Sequence, residues 1–156
     1  MSLENDHNYM CLALEEAKFA AGRNEVPIGA ILVDSTSGAI IARNGNRTIE
    51  MNDPTAHAEV MVIREGCKNM QSQRIPEYDL YVTLEPCTMC ASAISFARIR
   101  RVIYGAPDIK GGGIDNGVKF FEQPTCHHKI EITSGIMADE CGQVLKKFFK
   151  AKRQLL

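Results

Sequence analysis

No apolar run in this chain approaches the roughly 18–20 residues needed to cross a bilayer, so no membrane span is expected. The opening stretch, Met1 to Asp6, has neither a basic cluster nor a long apolar segment, which argues against a secretory leader. An excess of one charge is missing too: 18 Lys and Arg stand against 19 Asp and Glu, a net charge of −1. That balance excludes a protein that coats nucleic acid nonspecifically, although it leaves room for a local basic patch. Of the six cysteines, Cys11, Cys67, Cys126 and Cys141 sit at no framework spacing, so a disulfide scaffold is not expected either. In a reducing cytosol such cysteines behave as small buried hydrophobes. Internal repeats, linkers and low-complexity tracts are also absent. What remains is a cytoplasmic globular chain of 156 residues, 45% hydrophobic and 24% charged. That is the size of a single domain with one core, spanning 1–156.

Strand and helix patterns alternate along it. Residues 7–21 place Met10, Leu14, Ala17 and Ala21 on one helical face, with Gly22 as a stop. Two short apolar runs, 28–34 and 39–43, flank Ser35-Thr36-Ser37-Gly38, which has hairpin chemistry. After a polar stretch, Asp53-Pro54 predicts a helix over about 55–68, with Asp as cap and Pro in the first turn. Residues 80–84 read as a strand, and Glu85-Pro86 opens a second helix through Phe96. A strand over 101–105, a glycine-rich loop at 111–113, a strand over 129–133 and an amphipathic helix over 138–153 complete the chain. Hairpin and crossover connections together predict a mixed sheet covered by helices on both faces.

The chemistry concentrates in His57-Ala58-Glu59 and Pro86-Cys87-Thr88-Met89-Cys90, each opening a predicted helix. Cys87 and Cys90, three apart, share a face of the first turn. A helix N-terminus favours their thiolates. With a nitrogen from His57 the count is three, which leaves one tetrahedral position open as in a catalytic zinc site; structural zinc normally takes four protein ligands. Deep in a helix His57 and Glu59 would point apart, so both reach one metal site only if residues 57–59 start the helix. Alone, C-x-x-C fits a redox pair or a structural half-site equally, and H-x-E fits ordinary helix surface. Joined in this order, they match the signature of zinc-dependent nucleobase deaminases. The expected site is one Zn2+ per subunit on His57, Cys87 and Cys90, with Glu59 as the catalytic residue. Zinc lowers the pKa of its water towards ~7 to yield hydroxide, and Glu59 shuttles protons to the ring nitrogen and the leaving amine.

The segments 24–30, 53–59, 81–90, 97–106 and 138–149 resemble the bacterial tRNA-specific adenosine deaminases. These belong to the cytidine and deoxycytidylate deaminase superfamily, and the resemblance covers nearly the whole chain. It implies a cytidine-deaminase-like three-layer α/β/α fold with a five-stranded mixed sheet, and a homodimer. It also implies hydrolytic conversion of adenosine to inosine at the wobble position of a tRNA anticodon. The partner is then a tRNA anticodon stem-loop, with no DNA expected. By position, Asn46 would bind the edge of the base, Ile28 and Leu84 would wall the pocket, and the backbone at Ala58 would read the base. Asp108 would lie near the flanking nucleotides. Without the resemblance, Asn46 reads equally as a turn residue beside Gly45. In the closing helix, Phe148 and Phe149 stand among Lys146, Lys147, Lys150, Lys152 and Arg153. This is a pattern for stacking on bases and holding phosphates, with Phe149 and Lys150 as the RNA contacts and one of the two Phe in the core. A solvated amphipathic helix is the plain alternative.

The chain departs from that family between Gly111 and His128. A Gly-Ser step and a leucine-rich stretch are replaced by Gly113-Ile114-Asp115-Asn116-Gly117-Val118-Lys119-Phe120-Phe121. Cys126-His127-His128 adds a histidine, read as a polar loop entering the last strand or as a second metal site. Two other functions stay open on sequence grounds. One is a deaminase of a free base or nucleoside of guanine or cytosine type on the same zinc. The other is a binding protein with structural zinc, whose fourth ligand would come from Cys67, Cys126, His127 or His128.

Overall fold

The computed structural model describes residues 3–155; Met1 and Ser2, from the stretch read for a leader, and Leu156 lie outside it. Five strands, β1 (Gly29–Asp34), β2 (Ile40–Gly45), β3 (Tyr78–Leu84), β4 (Arg101–Ala106) and β5 (Glu131–Thr133), form one sheet in the order β2-β1-β3-β4-β5. The helices are α1 (Leu3–Gly22), α2 (Ala58–Met70), α3 (Thr88–Phe96) and α4 (Ala138–Gln154). β1 runs antiparallel to β2 and β3, whereas β3, β4 and β5 are parallel, so the sheet is mixed as expected. The β1–β2 turn is closed by Asp34, whose Oδ1 accepts the Thr36 N–H at 2.9 Å and whose carbonyl accepts the Gly38 N–H at 2.8 Å. Gly38 has φ +77°, which glycine adopts without strain.

Alternation along the strands divides the core in two. Ala30, Leu32, Leu80, Val82 and Val102 face α2 and α3, packing on Val62, Ala91 and Ile94. Ile31, Val33, Tyr81 and Ile103 face the other way, onto Met10, Leu14 and Ala17 of α1 and Cys141 of α4. Three layers follow because the central strands bury both faces. α1 lies so close that a Cβ on Gly29 would come within 2.0 Å of the Ala13 carbonyl oxygen. No helix among the described residues is long and apolar enough to cross a membrane.

Element boundaries depart from the sequence reading for identifiable reasons. α1 begins at Leu3 rather than residue 7, because Asp6 is drawn inward by a bidentate pair with Arg101 (2.9 and 2.7 Å) and by the Tyr81 hydroxyl at 2.7 Å. Its stop is Asn24, not Gly22. Asn24 takes the left-handed region (φ +69°), while the Glu25 N–H reaches back to the Ala20 carbonyl and the Asn24 N–H to that of Ala21. α2 starts at Ala58, not Thr55, since Asp53 folds a turn of its own by accepting the Thr55 N–H (2.8 Å) and hydroxyl (2.7 Å). α3 likewise starts at Thr88, after Glu85-Pro86 have passed without regular secondary structure and Cys87 has bridged to Gly112. α4 buries only Cys141. Phe148 is half-buried and Phe149 exposed, so neither phenylalanine enters the core as expected of one of them.

Candidate metal centre and active site

The late helix starts build the site. His57 is the N-cap of α2 (φ −72°, ψ 153°) and Cys87 the N-cap of α3 (φ −70°, ψ 174°), both in extended backbone. A cap residue stands outside the helical ladder, so its side chain is free to lean across the helix end. Glu59 and Cys90 lie in the first turns behind them. The condition set by residues 57–59, that they start a helix, is therefore met. The His57 Nδ1 sits 3.4 Å from Cys90 Sγ and 3.7 Å from Cys87 Sγ. The three ligand atoms lie within 4.8 Å of one another, the one such group of His, Cys, Asp or Glu among the described residues. One imidazole and two sulfurs form a donor set that suits zinc. None of Cys67, Cys126, His127 and His128 joins the group. Cys126 Sγ lies against the Ser95 hydroxyl at 3.5 Å, and the His128 ring contacts the Ile99 carbonyl at 2.6 Å.

Charge is arranged to match. Burial pushes the Glu59 carboxyl up to about 7, and its Oε1 is buried without a hydrogen-bond partner. An orphaned buried carboxylate oxygen costs stability unless something serves it; a proton, a cation or a polar ligand would. The Cys87 thiol is lowered to about 4, first by its hydrogen bond with Cys90 and then by His57. Cys90 is pushed up because Cys87 already carries the negative charge. His57 is raised by Cys87. The buried Glu59 oxygen and the two-sulfur, one-nitrogen donor set both fit zinc.

Of the residues expected at the pocket, Asn46 is tied to the start of α2 beside His57. Asn46 is buried; its Oδ1 accepts the Ala58 N–H at 2.8 Å and its own N–H donates to the Ile28 carbonyl at 3.1 Å. The Ala58 N–H is therefore engaged by the Asn46 side chain. Ile28, Leu84, Asp108 and Phe149 line one open groove of about 620 Å³, together with Lys146. Lys150 does not line it, but faces a neighbouring depression beside Val144 and Lys147. Asp108 Oδ1 accepts the Gly111 N–H at 2.9 Å, so this side chain also shapes its own turn.

Two buried acids escaped the sequence reading. Glu25 accepts the backbone N–H groups of Ile49 (3.1 Å) and Glu50 (2.8 Å), fastening the turn that follows Asn46. Glu85 does the same for residues 108–116. Burial alone would raise both carboxyls, but these hydrogen bonds hold them below the usual range. The available signal was an acid set directly against apolar residues or proline, in Glu25-Val26-Pro27 and Leu84-Glu85-Pro86. The unusual stretch after Gly111 is also well fastened. The Gly113 N–H donates to the Pro86 carbonyl at 2.8 Å, Ile114 is buried, and Phe120 and Phe121 pack edge to face against the α2–α3 side of the core.

The family model for the cytidine and deoxycytidylate deaminase zinc-binding region matches residues 3–106. A tRNA-specific adenosine deaminase from Agrobacterium fabrum is 58% identical over 146 residues, covering 94% of this chain and 95% of that protein. One from Haemophilus influenzae is 46% identical over 151 residues, covering 97% and 87%. A solved structure from a study of A-to-I editing by tRNA:A34 deaminases superposes with a TM-score of 0.85 at 59% identity, covering 88% of this chain and 99% of that one. The chain belongs to the cytidine and deoxycytidylate deaminase family and, within it, to the tRNA-specific adenosine deaminases.

Proposed function

We propose that this protein hydrolytically deaminates adenosine to inosine at the wobble position of a tRNA anticodon. The observation that carries the reading is the His57, Cys87 and Cys90 cluster at two abutting helix ends, with Glu59 Oε1 buried beside it without a hydrogen-bond partner. These three residues would hold one zinc ion per chain, which would supply Lewis acidity and activate water at neutral pH. Glu59, with its carboxyl near neutrality, takes one proton from the attacking water and hands it to the ring nitrogen beside the reacting carbon, then takes the second from the hydroxyl left on that carbon and hands it to the departing amine. Water is consumed and ammonia released. The Asn46 NH2 orients the base, while Ile28 and Leu84 supply apolar walls that keep bulk water from it. Asp108 meets the neighbouring nucleotides, Phe149 offers a ring for stacking, and Lys146 and Lys150 hold phosphates on two adjoining faces of α4. The whole chain acts as one domain in the cytoplasm, as a homodimer, on an anticodon stem-loop rather than on DNA.

The test is inosine formation in an anticodon stem-loop RNA with adenosine at the wobble position. Zinc-loaded protein and Glu59→Ala are assayed side by side, with free guanine, adenosine and cytosine as parallel substrates. Inosine from the parent protein alone is expected. Ammonia from a free base with no inosine would move the chain to a free-base deaminase on the same metal. Near-normal turnover by Glu59→Ala would overturn the role of Glu59.

A further inference from the structure

Five N–H donors from a single loop converge on Glu85, a residue the proposed chemistry does not use. Glu85 is fully buried where β3 ends, between Leu84 of the groove wall and the Pro86-Cys87 entry to α3. Its Oε1 accepts the Asp108 N–H at 3.0 Å and the Asn116 side-chain amide at 2.7 Å. Its Oε2 accepts the backbone N–H groups of Ile114 (3.1 Å), Asp115 (2.9 Å) and Asn116 (3.0 Å). The donors come from both ends of the 108–116 loop, so one carboxylate closes it like a drawstring. Such inward-facing N–H groups form a concave anion nest, filled here by the protein's own side chain. The fit leaves no slack. A Cβ at Gly112 would lie 2.5 Å from the Glu85 Cδ and Oε2. The Tyr104 hydroxyl, donating to the Asp115 carboxylate, backs the loop from β4. On its outer side the same loop carries Asp108 and Lys110 of the groove, and between them Ile109, 81% exposed.

We infer that Glu85 is a positioning residue for substrate. It holds the 108–116 loop against the metal-bearing end of α3, so that Asp108, Ile109 and Lys110 meet the nucleotides flanking the reacting base. The inference rests on the tRNA reading above and deepens it. Glu85 touches no reacting atom and acts through the loop alone. Glutamine at 85 keeps the shape, but sets an NH2 group against N–H donors that it cannot satisfy.

The experiment compares zinc-loaded parent protein, Glu85→Gln and Gly112→Ala on the stem-loop RNA. Zinc content and amide hydrogen exchange are measured on the same samples. For both variants kcat/KM should fall about tenfold or more, as expected from the loss of roughly one charge-assisted hydrogen bond, with KM carrying most of the change. Zinc stays at the parent level, and exchange quickens in 108–116 while the sheet is unaffected. Gly112→Ala pushes the loop off the carboxylate without removing a charge, and it decides the matter should Glu85→Gln fail to fold. Unchanged exchange in the loop, or activity lost in step with zinc at unchanged KM, would overturn the inference. Should the parent protein itself make no inosine, the tRNA reading fails, while the exchange data still report whether Glu85 holds the loop.

Discussion

Glu59 has two consequences at the residue scale, one for turnover and one for stability. In the metal-free fold its carboxyl sits at about 7, against an ordinary value of 4.5. Between those pH values the folded protein keeps a proton that the unfolded chain has released, so stability falls as pH rises through the window. The total is on the order of 3 kcal/mol. Glu59→Gln removes this slope. Thermal melts of chelated protein should show the variant gaining on the parent from pH 4.5 to 7 and level with it below. Equal slopes would mean that the carboxylate is solvated. Cys87→Ala acts through the metal: with two donors left, zinc should be lost on dialysis, and the melting temperature should drop towards that of the metal-free parent. Elemental analysis reads the first and calorimetry the second, and retained zinc would remove Cys87 from the ligand set. His57, Cys87, Cys90 and Glu59 were all legible in the sequence, because H-x-E and C-x-x-C place donors at fixed spacing on helix starts. Glu25 and Glu85 were not, since their partners are backbone groups remote in sequence, and backbone leaves no mark in a residue pattern.

Elements differ in how firmly they are held. The first turn of α1 is tied to β3, β4 and β5 by Asp6, Tyr81, Arg101 and Thr133. Arg101→Met strips the buried Asp6 of its countercharge and should cost about 3–5 kcal/mol in urea unfolding, whereas replacing both partners with apolar residues should cost much less. Burial would raise the Asp6 carboxyl, but its hydrogen bonds to Arg101 and Tyr81 hold it below 3.8. The contribution of the pair is therefore complete above that value and is lost as pH falls through the lower native one. α4 is the opposite case, an amphipathic helix with one buried residue and a ring, Phe149, that is 43% exposed at the groove. Phe149→Ala should leave the melting temperature nearly unchanged while raising KM for the stem-loop. Loss of one stacking contact, about 1–3 kcal/mol, sets the size. A fall in stability with unchanged KM would make Phe149 a packing residue. The helix starts at 58 and 88 were misplaced by three residues or fewer, because Asp53-Pro54 and Glu85-Pro86 look like caps, but Asp53 closes a turn of its own and Glu85 spends its carboxylate on the 108–116 loop.

At the scale of the whole molecule, the proposed homodimer is the property that a single chain expresses least. Sedimentation should return twice the 17.3 kDa chain mass, and a species of one chain mass at micromolar concentration would remove the dimer from the proposal. The sequence by itself determined the α/β class, the hairpin and crossovers that make the sheet mixed, and the placing of His57, Glu59, Cys87 and Cys90 at two helix starts. Each of these is written in local periodicity, in turn residues or in ligand spacing, over a few residues at a time. Only the tertiary structure decided that α2 and α3 meet end to end, that Asn46 and Ala58 engage each other, and that Lys150 turns away from the groove Phe149 lines. Only it revealed that buried carboxylates hold the loops at the mouth. The contacts among these are relations between residues 12 to 33 apart, set by which faces of the sheet the helices cover, and no short window of sequence contains both partners.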